Sequence, residues 1–210
     1  MRKNTWIAKW GLMLLVVFGL AAMPFDNELA KKDKKFAAKH LKQTQKNLLK
    51  SIRGLSDAQL NFKPAPDKWS ILECVKHLTL SEAGLWQWMQ GTLGAPANPD
   101  RRADIKMSDA DLLKGIGNRT QKAQAPENFQ PKNAKWTTLD ETLATFNHER
   151  ELHIDFMKGD SCNDMRNHVA TETPLGALDS YQLVLLLSAH TGRHTEQINE
   201  IKMNPNFPKE

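Results

Sequence analysis

Four stretches of the chain repeat apolar residues at steps of three and four, and none sustains alternation at steps of two. An amphipathic helix needs the first pattern and a half-buried strand the second. The chain therefore has material for packed helices and none for a sheet. Residues 34–53 place Ala37, Leu41, Thr44, Leu48, Ile52 and then Leu55 on one face, with lysines and glutamines between them. Gly54, Pro64 and Pro66 end that helix in a loop. Ser70 and Glu73 stand at the spacing of a capping box. The helix they open carries an arc of Ile71, Cys74, Val75, Leu78 and Leu85, with His77 at its rim. After a Gly/Pro-rich excursion, Ser108 with Asp111 predicts a short helix ending near Gly115 to Asn118. Residues 137–159 form a third long helix, with Leu139, Leu143, Phe146, Leu152 or His153, and Phe156 inward and Gly159 closing it. The last runs from about 179 to 202.

Four long helices joined by loops of ten or more residues predict an all-α four-helix bundle over residues 34–203, followed by a C-terminal tail at 204–210. The connections are too long for hairpin turns and are where the walls and lids of a site lie. A chain of 210 residues can bury such a core without staples.

Residues 1–22 are a separate object. Arg2, Lys3 and Lys9 precede a charge-free apolar run from Trp10 to Met23, closed by Pro24. That is the pattern of an export signal, and the run is short of the roughly 20 residues that cross a bilayer core. Cleavage near Ala22 predicts an extracytoplasmic protein, periplasmic or secreted; the rival reading is an uncleaved N-terminal anchor, the one case in which the protein meets a membrane. The segment holds three of the 29 basic residues and none of the 24 acidic ones, so the rest of the chain stands at +2. No basic stripe with interleaved aromatics remains to argue for nucleic acid. A charged linker is expected at 23–33, and the run KKDKK at 31–35, just before the first helix, reads as a solvated tether. An oxidising compartment would allow one disulfide between Cys74 and Cys162; against it, Cys74 falls on a buried helix face, where free cysteine is at home.

The last helix puts chemistry on its buried stripe. Leu183, Leu186 or Leu187, His190, His194, Gln197 and Ile201 follow one another at steps of three and four, so both histidines point where the leucines point. Buried imidazoles must have their nitrogens satisfied, and two stacked one turn apart cannot both be cations. A shared metal satisfies both, and His77, on the buried edge of its own helix, is the natural third ligand of an open three-nitrogen site. The rival reading of an H-x-x-x-H spacing is a hydrogen-bonded structural pair. His40, His148, His153 and His168 read as surface or loop residues without such a joint arrangement, and Glu82 as a carboxylate that faces solvent or bonds a metal-binding histidine from behind. The site is expected at one end of the bundle.

The stretches KWSILECVKHLTLSE and PLGALDSYQLVLLLSAHTGRHTEQINEI resemble the DinB-like family, the damage-inducible and YfiT-type metalloenzymes, in carrying a W-S helix start followed by H-L and then a late H-x-x-x-H-x-x-Q-I. SDADLLKGIGNRTQKAQAPE and FNHER are similar to a subgroup of it. The resemblance implies an up-down-down-up bundle holding a divalent metal, zinc or nickel, on the histidines that match His77, His190 and His194. It implies a small-molecule substrate and the activity of a metal-dependent hydrolase or thiol S-transferase; a homodimer is a further expectation. The export pattern departs from the family's cytoplasmic norm. A second reading keeps the metal as a structural element of a non-catalytic binding or scaffold protein. No catalytic general base is identifiable: Glu73 reads as the cap, and Cys74 lacks a partner.

Overall fold

A computed structural model describes residues 29–120 and 124–209. The export pattern at 1–22 lies outside the described residues. Six α-helices span Lys31–Ile52 (α1), Asp57–Asn61 (α2), Ile71–Gly94 (α3), Asp109–Gly117 (α4), Leu139–Phe156 (α5) and Ser180–Lys202 (α6). None of the described helices is long and apolar enough to cross a membrane.

The helix starts follow the side chains that cap them. Ser70 with Glu73, Thr138 with Glu141 and Asp179 with Gln182 each form a reciprocal capping box at the head of α3, α5 and α6, satisfying two otherwise orphaned backbone donors apiece. Ser56 with Gln59 does the same for α2, a helix inside what reads from sequence as loop. α1 starts three residues before the pattern predicts, so KKDKK is its first turn and not a tether. The absence of strands needs a small correction. Val169–Ala170 (β1) and Leu178–Asp179 (β2) pair antiparallel, and the turn between them uses Gly176 at φ +85°, a conformation that glycine adopts without penalty. This ladder delivers Asp179 to the head of α6, where its Oδ2 also takes hydrogen bonds from Arg102 and Arg166, both 3.0 Å.

Side-chain contacts give the topology. Tyr181 reaches Asp33, Ser188 bonds His40, and Lys202 bonds Ser51, so α1 and α6 run parallel. Thr79 reaches Thr142, Glu82 bonds Arg150 and Trp86 stacks on His153, so α3 and α5 run parallel too. Gln45 meets Asn147 while Lys34 bonds Gly159, so α1 and α5 oppose each other. The bundle is up-down-down-up, with α1 beside α6 and α5, and α3 beside both as well. α4 covers α6 and buries Leu112 there. The segment 204–209 is packed down: Phe207 meets the Phe62 ring edge-on at 5.5 Å, and Gln59 Nε2 donates to the Pro208 carbonyl.

The core divides in two. Leu41, Met89, Met157, Tyr181 and Leu185 belong to one apolar cluster, and Leu48, Ile71, Val75, Phe146 and Ile198 to another. Between them lies a polar belt of Thr44, Glu82, Arg150, His153, Ser188 and Thr191, all buried. Cys74 sits in one cluster and Cys162 in the other, both as free thiols, so no disulfide joins them.

Candidate metal centre

The inward phase of α6 and the rim position on α3 bring His77, His190 and His194 together, with one ligand-type atom of each within 4.8 Å of the others. His190 Nε2 lies 3.2 Å from His77 Nε2 and 3.1 Å from His194 Nε2. The trio borders the polar belt, with His77 in the second turn of α3 and His190 and His194 in the middle of α6.

The outer ring atoms decide what the inner ones are. His77 Nδ1 is 2.8 Å from the Phe129 carbonyl and His194 Nδ1 is 2.9 Å from Gln197 Oε1. Arg119 Nη1, which can only donate, also reaches Gln197 Oε1 at 3.5 Å, which orients that amide. Both partners are acceptors, so both Nδ1 atoms carry the proton and both Nε2 atoms present lone pairs. Burial pushes His77 below the ordinary histidine pKa, against the opposing pull of its bond to Phe129. Burial, followed by the neighbouring His77, pushes His190 down to about 3. Burial and then His190 hold His194 well below 6.5. All three rings are neutral at pH 7, and a proton on His190 Nε2 can serve one of the two facing lone pairs but not both. Three neutral imidazoles with Nε2 atoms converging form a donor set that suits a borderline divalent cation such as zinc or nickel.

The surroundings were only partly legible. Trp69, the residue before the α3 cap, lies against both rings, its centroid 4.8 Å from His77 and 6.1 Å from His194. A Cβ at Gly84, two turns beyond His77 on the same face of α3, would run into the Phe129 ring. This glycine therefore lets the loop at 127–129 sit close enough for its carbonyl to meet His77. Unlike Gly84, Gly192 is not tightly confined, since a Cβ there would make only ordinary contact with Thr44.

Beside the trio the polar belt is an ion network that the sequence reading misplaced. Glu82 is 1% exposed and takes two bonds from Arg150, 2.6 and 2.7 Å, plus one from His153 Nδ1 at 2.9 Å. It faces neither solvent nor the trio's nitrogens. Burial alone would raise the Glu82 carboxyl; Arg150 and the bond from His153 override it and hold it below the ordinary range. Arg150 also donates to the Leu41 carbonyl, to Thr44 and to Thr191, the residue after His190. One guanidinium thus ties α1, α3 and α6 to α5. His153 is fully buried and stacked on Trp86 at 3.9 Å, so it is not a surface histidine, while His168 lies in a loop as expected but is buried there. His40 is half-buried against Ser188, and only His148 is exposed as predicted. The signal was present: Phe146, Arg150, His153 and Phe156 keep one phase on α5, and Leu78, Glu82 and Leu85 keep one on α3. Opposite charges at core phase on two helices announce a buried pair. Cys74 packs away from the trio with its thiol pushed up to about 12 by burial, too inert to serve as a ligand or nucleophile.

Comparison with known proteins adds the following. The model of the DinB superfamily matches residues 40–198, a span that holds all three histidines. The chain is similar to the uncharacterized protein YuaE of Bacillus subtilis (strain 168), 24% identical over 153 residues, which is 72% of this chain and 88% of that one. No solved structure matches it.

Proposed function

The chain belongs to the DinB superfamily, and from that premise we propose that it holds one divalent cation, zinc or nickel, on His77, His190 and His194 and acts on a small molecule as a metal-dependent hydrolase or a thiol S-transferase. The observation that carries this reading is the pair of acceptors behind His77 and His194, which leaves lone pairs aimed inward with no proton to share between them. A cation bound there supplies Lewis acidity, polarising a substrate oxygen or acidifying water. The chain's own residues do the rest. Phe129 and Gln197 fix two tautomers, and Trp69 gives the site an apolar wall against which a substrate can lie. His190 keeps part of its surface open. Among the described residues no cysteine or carboxylate joins the cluster as a fourth ligand. Three protein ligands with an open side are the mark of catalytic sites; structural ones close at four.

The charge-then-apolar order of residues 1–22 supports action outside the cytoplasm, and this favours hydrolysis, because low-molecular-weight thiols are chiefly cytoplasmic. A mature N-terminus near Met23 by mass spectrometry would support export, and Met1 in the cytosol would defeat it. For the site, metal analysis is paired with a turnover screen of esters, amides and thiol–acceptor pairs in zinc and in nickel. Turnover that His194→Ala abolishes while helical circular dichroism persists supports an enzyme. One metal bound with no turnover of any class supports the scaffold reading, and no bound metal defeats both.

A further inference from the structure

The KKDKK run, once seen to be helical, begins something longer. α1 carries eight lysines against one aspartate. Seven of them, Lys31, Lys32, Lys35, Lys39, Lys42, Lys46 and Lys50, are exposed and form no ion pair or hydrogen bond among the described residues. At 100° per residue all seven fall within an arc of about 100°, running about 29 Å along the helix. The one acid, Asp33, lies outside the arc and turns to Arg166 at 3.7 Å. Lys34 also leaves the arc, to bond the Gly159 carbonyl. Like charges at i, i+4 oppose helix formation, and a merely solvated face mixes signs. Here Lys31/Lys35/Lys39 and Lys42/Lys46/Lys50 repeat the repulsion without one acidic partner on the arc.

We infer that this lysine ridge docks α1 on an anionic phospholipid surface. Two observations select that occupant. The ridge is a single straight helix face of one sign, the shape a plane of headgroups complements. The groove beside it, about 880 Å³ between α1 and α5, has Glu151, Asp155 and Asp160 on its far wall, where the one cation, Lys158, is paired with Asp155 at 2.8 Å. An acidic peptide or a nucleic-acid backbone lying in the groove would meet those carboxylates, whereas a planar surface touches only the ridge.

The test is co-sedimentation of the full chain with phosphatidylcholine vesicles and with vesicles of three parts phosphatidylcholine to one part phosphatidylglycerol, in low and high salt. The apolar segment contributes to both lipids, so the ridge is read in the difference. Each lysine at an anionic surface is worth about fivefold. The variant K35Q/K39Q/K42Q/K46Q should lose at least about tenfold of the preference for anionic vesicles, with its circular dichroism and metal content unchanged. K63Q/K106Q/K132Q/K209Q, which removes the same charge from other surfaces, should keep the preference, and high salt should abolish it. Equal loss in both variants would reduce the effect to net charge and overturn the inference. So would no preference in the wild type, tighter ridge-dependent binding to duplex DNA than to the vesicles, or ridge-dependent self-association in low salt.

Discussion

At the scale of single residues, the chemistry rests on which nitrogen of each ring holds its proton. Gln197 does this for His194 through one acceptor oxygen. Gln197→Leu removes the acceptor while keeping the bulk, so the ring is free to take the other tautomer. Loss of such an outer partner costs about 10- to 100-fold in metal affinity, and competition titration against a chromophoric chelator should show a loss of that size for zinc. His148→Ala, at an exposed ring without partners, should leave it unchanged. The same burial sets a pH dependence. In the unfolded chain each of these histidines takes a proton near pH 6.5; in the fold all three are held lower, His190 at about 3. Below pH 6.5 the unfolded state therefore binds more protons, and stability falls as pH falls. Melts of chelator-treated protein should show Tm dropping steadily from pH 7 to pH 5. A flat profile would mean that the rings are not buried neutral.

At the scale of elements, the four long helices meet at the Arg150–Glu82 pair, which fixes the level at which α3 and α5 face each other. Both side chains are essentially without solvent contact. A buried pair is no strong net stabiliser, but breaking one half strands the other charge at about 3–5 kcal/mol. Arg150→Met should therefore destabilise the bundle by roughly that amount in urea unfolding, since Glu82 would keep only His153 as a partner. The double variant Arg150→Met with Glu82→Leu should recover a large part of the loss, because no buried charge is then left. Failure of the double variant to recover would show that the contacts of Arg150 with Leu41, Thr44 and Thr191 carry the stability instead.

At the scale of the whole molecule, the trio joins α3 to α6, neighbouring helices that run antiparallel, so a cation held there would link them beside the boundary between the two apolar clusters. Ligand that binds only the folded state stabilises it by about 2.7 kcal/mol at a hundred times its Kd. For a domain of this size that is a rise in Tm of about 5–10 °C. Zinc or nickel added to metal-free protein should produce it, a chelator should reverse it, and His77→Ala should abolish the response. A Tm indifferent to both metals and to chelator would show that the histidines are a hydrogen-bonded structural cluster.

Period and caps are local properties. The steps of three and four in 137–159 and 179–202, Ser70 with Glu73 and Ser108 before Asp111 were enough to read the long helices and their starts, because each depends on residues within one or two turns. The inward phase of His190 and His194 was readable for the same reason. What sequence left open depends on the partner across the interface. His153, Glu82 and Arg150 were legible as inward in phase, yet only the meeting of α3 with α5 at one level turns that phase into a satisfied ion pair. Phe129 reaches His77 from 52 positions away, through a loop with no periodicity, and only the missing Cβ of Gly84 makes the approach feasible. The KKDKK run reads from sequence as a tether; helix phase gathers Lys31, Lys32 and Lys35 with Lys39, Lys42, Lys46 and Lys50 on one face, and the packing of α1 against α5 and α6 turns that face outward.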